Sequence, residues 1–397
     1  MKNSVVASTL TVAALTGSLL AWQQDAFKLP PPYHTPNASN GAKVVPKPEN
    51  AHLRLPDGFS AEEFASGFQK PRIMLELPNG DVLVSDSVQK GAVVHLSKGN
   101  RRNLIEGLDR PYGLALNKDF LYVAEPLSVK RYKLDAKKVS VGPGEEVVSL
   151  AGFDKGHWTR ALTFSPKGDK LYIGVGSGSN ASPDTDERRA TILECNPDGS
   201  NCTIFAAGLR NATAINFRPG TTELWATVQE RDGLGDDLVP DFFAHVKRGS
   251  FYGWPWAYFG SNEDPRNAGQ KPDLVKKTAV PEVSLGAHTA VIDWKFYTGK
   301  QFPAKYHGGA FFALRGSSNR AKRVGYSVVY LPFDKSGKPA RQVEDFLSGW
   351  MMGPDQREVW GRPTGVLQLR DGSLLVSEDG NNRIWRVTYG KAAAMLK

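Results

Sequence analysis

Three short segments place polar side chains between runs of strand-forming residues, and their types indicate the chemistry available. Gly156-His157-Trp158-Thr159-Arg160 carries an imidazole whose ordinary pKa of about 6.5 suits proton transfer near neutral pH. The plainer alternative is a histidine held by its own structural hydrogen bonds. Gly208-Leu209-Arg210-Asn211 adds a planar guanidinium fork and an amide that both donates and accepts, although a turn would also favour Asn there. Gln229-Glu230-Arg231-Asp232-Gly233-Leu234-Gly235-Asp236-Asp237 crowds four carboxylates into nine residues. Such groups repel one another unless a cation holds them, and hard oxygen donors select Ca²⁺ over a transition metal. The segment lacks the twelve-residue, helix-flanked calcium pattern and reads equally as a solvated acidic loop. Arg315, in Leu314-Arg315-Gly316-Ser317-Ser318-Asn319-Arg320, and Arg362, in Gly361-Arg362-Pro363-Thr364-Gly365, add cations at strand edges. Several cations, one histidine and an acidic turn together describe a site for an anionic ligand held partly through a metal.

Something must bring these distant segments together. Six stretches repeat one phrase, a polar or Gly-containing break followed by a short apolar strand, with Val82, Leu121, Leu171, Leu224, Ala310 and Leu374 as equivalent positions. The steps between them are 39, 50, 53, 86 and 64 residues. A strand-rich unit recurring every 40–50 residues or so marks an all-β propeller, whose loops converge on one axial mouth. On that plan Arg210, Arg315 and Arg362 fall at like ends of three blades. The longer steps are insertions, and the acidic segment reads as the start of the longest.

Forty Gly and twenty-six Pro among 397 residues, with no long helical period, agree with many turns and one propeller domain over about 51–390. Residues 1–21, with Lys2 ahead of an uncharged apolar run, read as a cleaved secretory signal, leaving no integral membrane span in the mature chain. Residues 22–50, with Pro30-Pro31-Pro32, Pro36, Pro46 and Pro48, read as an extended leader packed over the propeller or linking it to the envelope. Cys195 and Cys202 bracket a strong turn and could face each other across a hairpin, where export permits a disulfide; two free thiols are the alternative. The net charge of +9 is spread along the chain without interleaved aromatics, which argues against nucleic acid. Gly174-Val175-Gly176-Ser177-Gly178 follows a strand, but Ser182-Pro183-Asp184 stands where a dinucleotide fold needs a helix, so a nicotinamide cofactor is disfavoured.

These segments, together with Cys195-Asn196-Pro197-Asp198-Gly199, Tyr252-Gly253-Trp254-Pro255 and Arg383-Ile384-Trp385-Arg386, resemble the L-sorbosone dehydrogenase group over about residues 50–390. That group belongs with the glucose/sorbosone dehydrogenases that use pyrroloquinoline quinone (PQQ). The resemblance implies a six-bladed β-propeller with PQQ in its mouth and His157 as the general base. It implies cofactor contacts from Arg160, Arg210, Asn211, Arg315 and Arg362, and a cofactor Ca²⁺ at Glu230 and Arg231. A neighbouring structural Ca²⁺ is implied at Asp236, Asp237 and Tyr252. Glu230-Arg231 stands where soluble glucose-oxidising relatives have Gly-Pro, and Ser318 where other members carry Trp, a change that opens one pocket wall.

The implied protein is a periplasmic or secreted dehydrogenase of aldoses or related sugar aldehydes. With no Cys-x-x-Cys-His haem motif, it would pass electrons to an external quinone or cytochrome. A calcium-dependent sugar lactonase and a non-catalytic propeller binding a glycan or protein are the alternatives.

Overall fold

All six repeated phrases become the second strand of a four-stranded antiparallel sheet: Val82–Asp86, Phe120–Glu125, Leu171–Val175, Leu224–Val228, Ala310–Leu314 and Leu374–Glu378. These strands are apolar without alternation and buried almost throughout, because each sheet packs on a neighbour through both faces. The computed structural model describes residues 27–353 and 355–390. The expected signal at 1–21 lies outside the described residues. Blades 1 to 6 span 71–108, 114–149, 160–207, 212–287, 291–347 and 363–389, giving a six-bladed β-propeller. Blade 6 takes its outer strand from the start of the chain. Phe59–Ala65 pairs antiparallel with Arg383–Tyr389, from Phe59 opposite Tyr389 to Ala65 opposite Ile384. Pairing first with last leaves no open joint in the ring.

Blade 4 departs from the sequence-based expectation. The acidic segment is the short connection between its second and third strands, and the extra chain comes later, between Pro240–Val246 and Val283–Ala287. That insertion holds a two-residue hairpin pair, Ala257–Tyr258 with Asn262–Glu263, and the helix Pro272–Lys277. Counting residues between repeats locates an insertion only to within one blade, which accounts for the misplacement.

Residues 27–54 form a strap. Lys43–Val44 pairs in parallel with Glu358–Val359, and the Arg323 guanidinium donates to Oδ1 of Asn40. The two cysteines are joined as a disulfide across the turn between the third and fourth strands of blade 3. No helix among the described residues is long and apolar enough to cross a membrane.

Antiparallel pairing sets where the site lies. Pro71 faces Asp86, Arg160 faces Val175, Ala212 faces Val228, Val291 faces Leu314 and Pro363 faces Glu378. The start of each inner strand and the end of the second strand therefore open on the same end of the ring. The residues just before the one and just after the other form the mouth.

Candidate active site

At that end lies a cavity of about 320 Å³ whose walls include Arg72, His157, Arg210, Asn211, Glu230 and Arg315. His157 sits three residues before the inner strand of blade 3. Its main-chain N–H donates to the carbonyl of Ser177 at 3.0 Å, and its Nδ1 lies 3.0 Å from both that carbonyl and the Ser177 hydroxyl. A carbonyl only accepts, and the Ser177 hydroxyl proton is already given to the carbonyl of Ser179 at 2.6 Å. Nδ1 therefore carries the hydrogen and Nε2 is left as a bare acceptor. Burial, reinforced by the Arg210 charge, pushes the His157 pKa down to about 3, so the ring is neutral. Two glycines make this approach possible. A Cβ on Gly176 would stand 2.5 Å from the His157 Cβ and from the Asn211 amide oxygen. Gly156, at φ +80°, would put one 2.5 Å from the carbonyl of Ser177.

One wall is cationic. Asp379, just past the second strand of blade 6, has no exposed side-chain surface and meets three guanidinium groups. Arg72 donates to it at 2.6 Å and Arg315 at 3.0 Å, while Arg362 Nε lies 3.0 Å away. Burial alone would raise the Asp379 pKa, but the three arginines overcome it and hold the carboxyl below its ordinary range. Three cations share one anion, and the buried Nε of Arg72 has no partner.

The opposite wall is acidic. Arg210 Nη1 donates to the carbonyl of Glu230 at 2.8 Å, and its Nε and Nη2 donate to the main-chain and side-chain oxygens of Asn180, both at 2.9 Å. Asn211 accepts from Thr159 at 3.1 Å and donates to Gln229 at 3.2 Å. Glu230 is buried with Oε1 unpartnered, and burial raises its pKa to about 8. Asp241 accepts from the Glu230 N–H at 2.9 Å and the Thr289 hydroxyl at 3.1 Å, yet burial still raises it to about 6. Asp232 pairs with His288 Nδ1 at 2.8 Å, and His288 Nε2 lies 2.9 Å from the carbonyl of Gly235. Burial alone would lower the His288 pKa; Asp232 and that carbonyl raise it above the ordinary value.

The structure distributes the sequence-selected residues unevenly. His157, Arg210, Asn211, Glu230 and Arg315 share the cavity, and Arg362 backs it through Asp379. Arg160 is withdrawn from it. Its guanidinium is fully buried and donates to the carbonyls of Pro126, His157 and Thr159, bracing the His157 loop from behind. Arg231 is bound to Asp264 by two contacts of 2.7 and 2.8 Å. Asp236 accepts from the Ala321 N–H, and Asp237 from Arg320. Tyr252 stacks on Phe242 and donates its hydroxyl to the carbonyl of His245. Among the described residues no three His, Cys, Asp or Glu side chains are grouped to hold a metal ion. Sequence reasoning passed over Arg72, Asp241, His288 and Asp379. Asp379 follows the repeated strand of blade 6 directly, so reading one residue past each repeat would have found it.

A family model described as TrAA12-like matches residues 53–239 and 264–390. An uncharacterized protein of Borreliella burgdorferi is 28% identical over 355 residues, covering 85% of this chain and 91% of that protein. The calcium structure of the Trichoderma reesei Carbohydrate-Active Enzymes Family AA12 protein is 21% identical, with a TM-score of 0.73, over 88% of this chain and 99% of that one. The holo form of the pyranose dehydrogenase PQQ domain from Coprinopsis cinerea is 20% identical, with a TM-score of 0.74, over 86% and 98%. At such identities the two solved structures establish a shared fold.

Proposed function

The chain belongs to the TrAA12-like family, and on that premise we propose that it is an oxidoreductase acting on an aldose or related sugar aldehyde, sorbosone- or glucose-like, with PQQ and Ca²⁺ as cofactors. The observation that carries this reading is one cavity joining a neutral imidazole, bare at Nε2, to a wall where three arginines share one carboxylate. PQQ is a flat tricarboxylic quinone, and the residues present fit it. The wall holds a surplus of positive charge, and the unpartnered Nε of Arg72 suits a carboxylate oxygen. The unpartnered Oε1 of Glu230 suits a hard cation in the same way. When bound, PQQ supplies a two-electron hydride acceptor, which no side chain can provide.

The rest falls to the chain's own residues. Arg72 and Arg315 hold anionic groups along one wall, and Arg362 supports that wall from behind through Asp379. Glu230 would hold Ca²⁺ together with main-chain oxygens of its loop, each of which keeps a second lone pair. Ser177 fixes the His157 tautomer, and Nε2 takes the proton from the sugar hydroxyl or aldehyde hydrate. An anionic ligand beside Arg210 offsets part of that arginine's depressing effect and makes the imidazole a stronger base. Electrons pass to an external quinone or cytochrome. The apolar start of the sequence and the disulfide support a periplasmic or secreted protein.

Reconstitution tests this. Protein produced without PQQ is mixed with PQQ and Ca²⁺ and assayed with a dye acceptor over an aldose panel. The expected result is an absorbance change on loading, followed by dye reduction; His157→Ala should bind PQQ but turn over ~10²–10⁴-fold more slowly. No absorbance change and no dye reduction would remove the dehydrogenase reading.

A further inference from the structure

Beside the active-site cavity lies a second cavity of about 290 Å³, and the two share Arg210, Asp232 and Asn319 as wall residues. The second is closed on one side by the strap, through Asn37 and Ala38. The strap is held to the mouth by specific bonds. Tyr33 N–H donates to the carbonyl of Leu234 at 2.9 Å, the Asp236 N–H to Thr35 Oγ1 at 2.7 Å, and the Asn40 N–H to the carbonyl of Ser318 at 2.7 Å. At Gly235, φ +101°, a Cβ would meet the carbonyl oxygen of Thr35 at 2.7 Å, so the strap lies closer than any side chain there would permit. Residues 33–40 thus bridge the loops of blades 4 and 5 above the mouth.

The chemistry of this second cavity is narrow. Among the described residues its walls carry amides, one carboxylate and one guanidinium, with no aromatic ring. Asn37 Oδ1 accepts from the Gly235 N–H at 2.8 Å, which leaves both Nδ2 protons for a ligand. Asp232 supplies an acceptor, and Asn180, bonded to the Asp232 main chain at both 2.9 Å contacts, holds that loop in place. Amide donors beside a carboxylate acceptor match hydroxyl groups, and the lack of a ring to stack on makes hydroxyl position the selected feature. Because the two compartments share Arg210, Asp232 and Asn319, a ligand seated in the first can extend a further ring into the second.

We propose that Asn37 and Ala38 of the strap complete a second sugar subsite, which takes the ring next to the one being oxidised. This rests on the sugar-oxidising reading of the first cavity. It makes short oligosaccharides better substrates than monosaccharides, and makes the strap a specificity element of the active site.

The test uses the full chain loaded with PQQ and Ca²⁺, with cellobiose and glucose as probes. The ratio of kcat/KM for cellobiose to that for glucose should fall about tenfold in Ala38→Phe, which fills the subsite, and by a smaller factor in Asn37→Ala, which removes one donor. Cellobiose should also slow hydrogen exchange over residues 33–42 in the parent protein but not in Ala38→Phe. An unchanged ratio in both variants, with no protection of the strap, overturns the proposal. If the parent oxidises neither sugar, the aldose panel decides the oxidation reading and exchange alone decides the subsite: protection by cellobiose upholds it, and none overturns it.

Discussion

Around Asp379 three arginines crowd one carboxylate, whereas across the cavity Glu230, Asp232 and Asp241 face Arg210 and His288. The first wall is made of residues at the ends of regular strands in blades 1, 5 and 6, and it keeps its charge. The second is made largely of the connection after the second strand of blade 4. Its crowding is eased in three ways: burial raises Glu230 to about 8, Asp241 is raised only to about 6, and Asp232 is paired with His288. The strand ends need one counter-ion, Asp379, which the sheet fixes among all three cations. The loop spreads its relief over several groups, through the raised Glu230 carboxyl and the Asp232–His288 pair.

The largest expected effect comes from removing the single anion of the cationic wall. Asp379→Asn leaves Arg72, buried and desolvated, without its counter-charge, and should cost about 3–5 kcal/mol of stability, read from the urea midpoint. An unchanged midpoint would mean that the wall is not held together by that carboxylate. Arg210→Ala tests the other wall. Losing a charged donor is worth about 1.5–3 kcal/mol, so PQQ uptake measured by titration should weaken by about ten- to a hundredfold. Unchanged affinity would assign cofactor binding to the Asp379 wall alone. The smallest effect concerns Glu378, next to Asp379 in the chain, which burial raises from 4.5 to about 7 against the backbone N–H groups that favour its ionised form. A raised carboxyl favours folding most when protonated, so this contribution is complete below pH 4.5 and is lost as pH climbs through 7. Glu378→Gln should flatten the stability profile over that window, and a slope identical to the parent's would show that Glu378 stays ionised.

The fold was more legible in the sequence than the site. The second strands at Val82 through Leu374 stand out because burial on both faces demands an unbroken apolar run bounded by turns. His157 and Arg210 were visible as polar residues ahead of such runs. Arg160 shares those neighbours, yet its side chain turns to the carbonyls of Pro126, in a turn of blade 2, and Phe153, in the link between blades 2 and 3. A side chain's direction is not written in the residue types beside it. Arg72 and Asp379 escaped notice for a related reason. Their partnership spans 307 positions, and neither has an unusual neighbour in the chain. Asp236 and Asp237 looked like metal ligands because composition reports crowding but not the Arg320 and Ala321 groups that relieve it.

Pairing Phe59–Ala65 with Arg383–Tyr389 also dictates an order of events during synthesis. The ribosome makes the outer strand of blade 6 first and its partner last, so this seam cannot seal until more than three hundred intervening residues have emerged. Until then Phe59 lacks Tyr389, one of the four rings it contacts, and the nascent ring exposes an unpaired strand edge. Closure of the ring is therefore tied to completion of the last blade, whatever order the other five fold in.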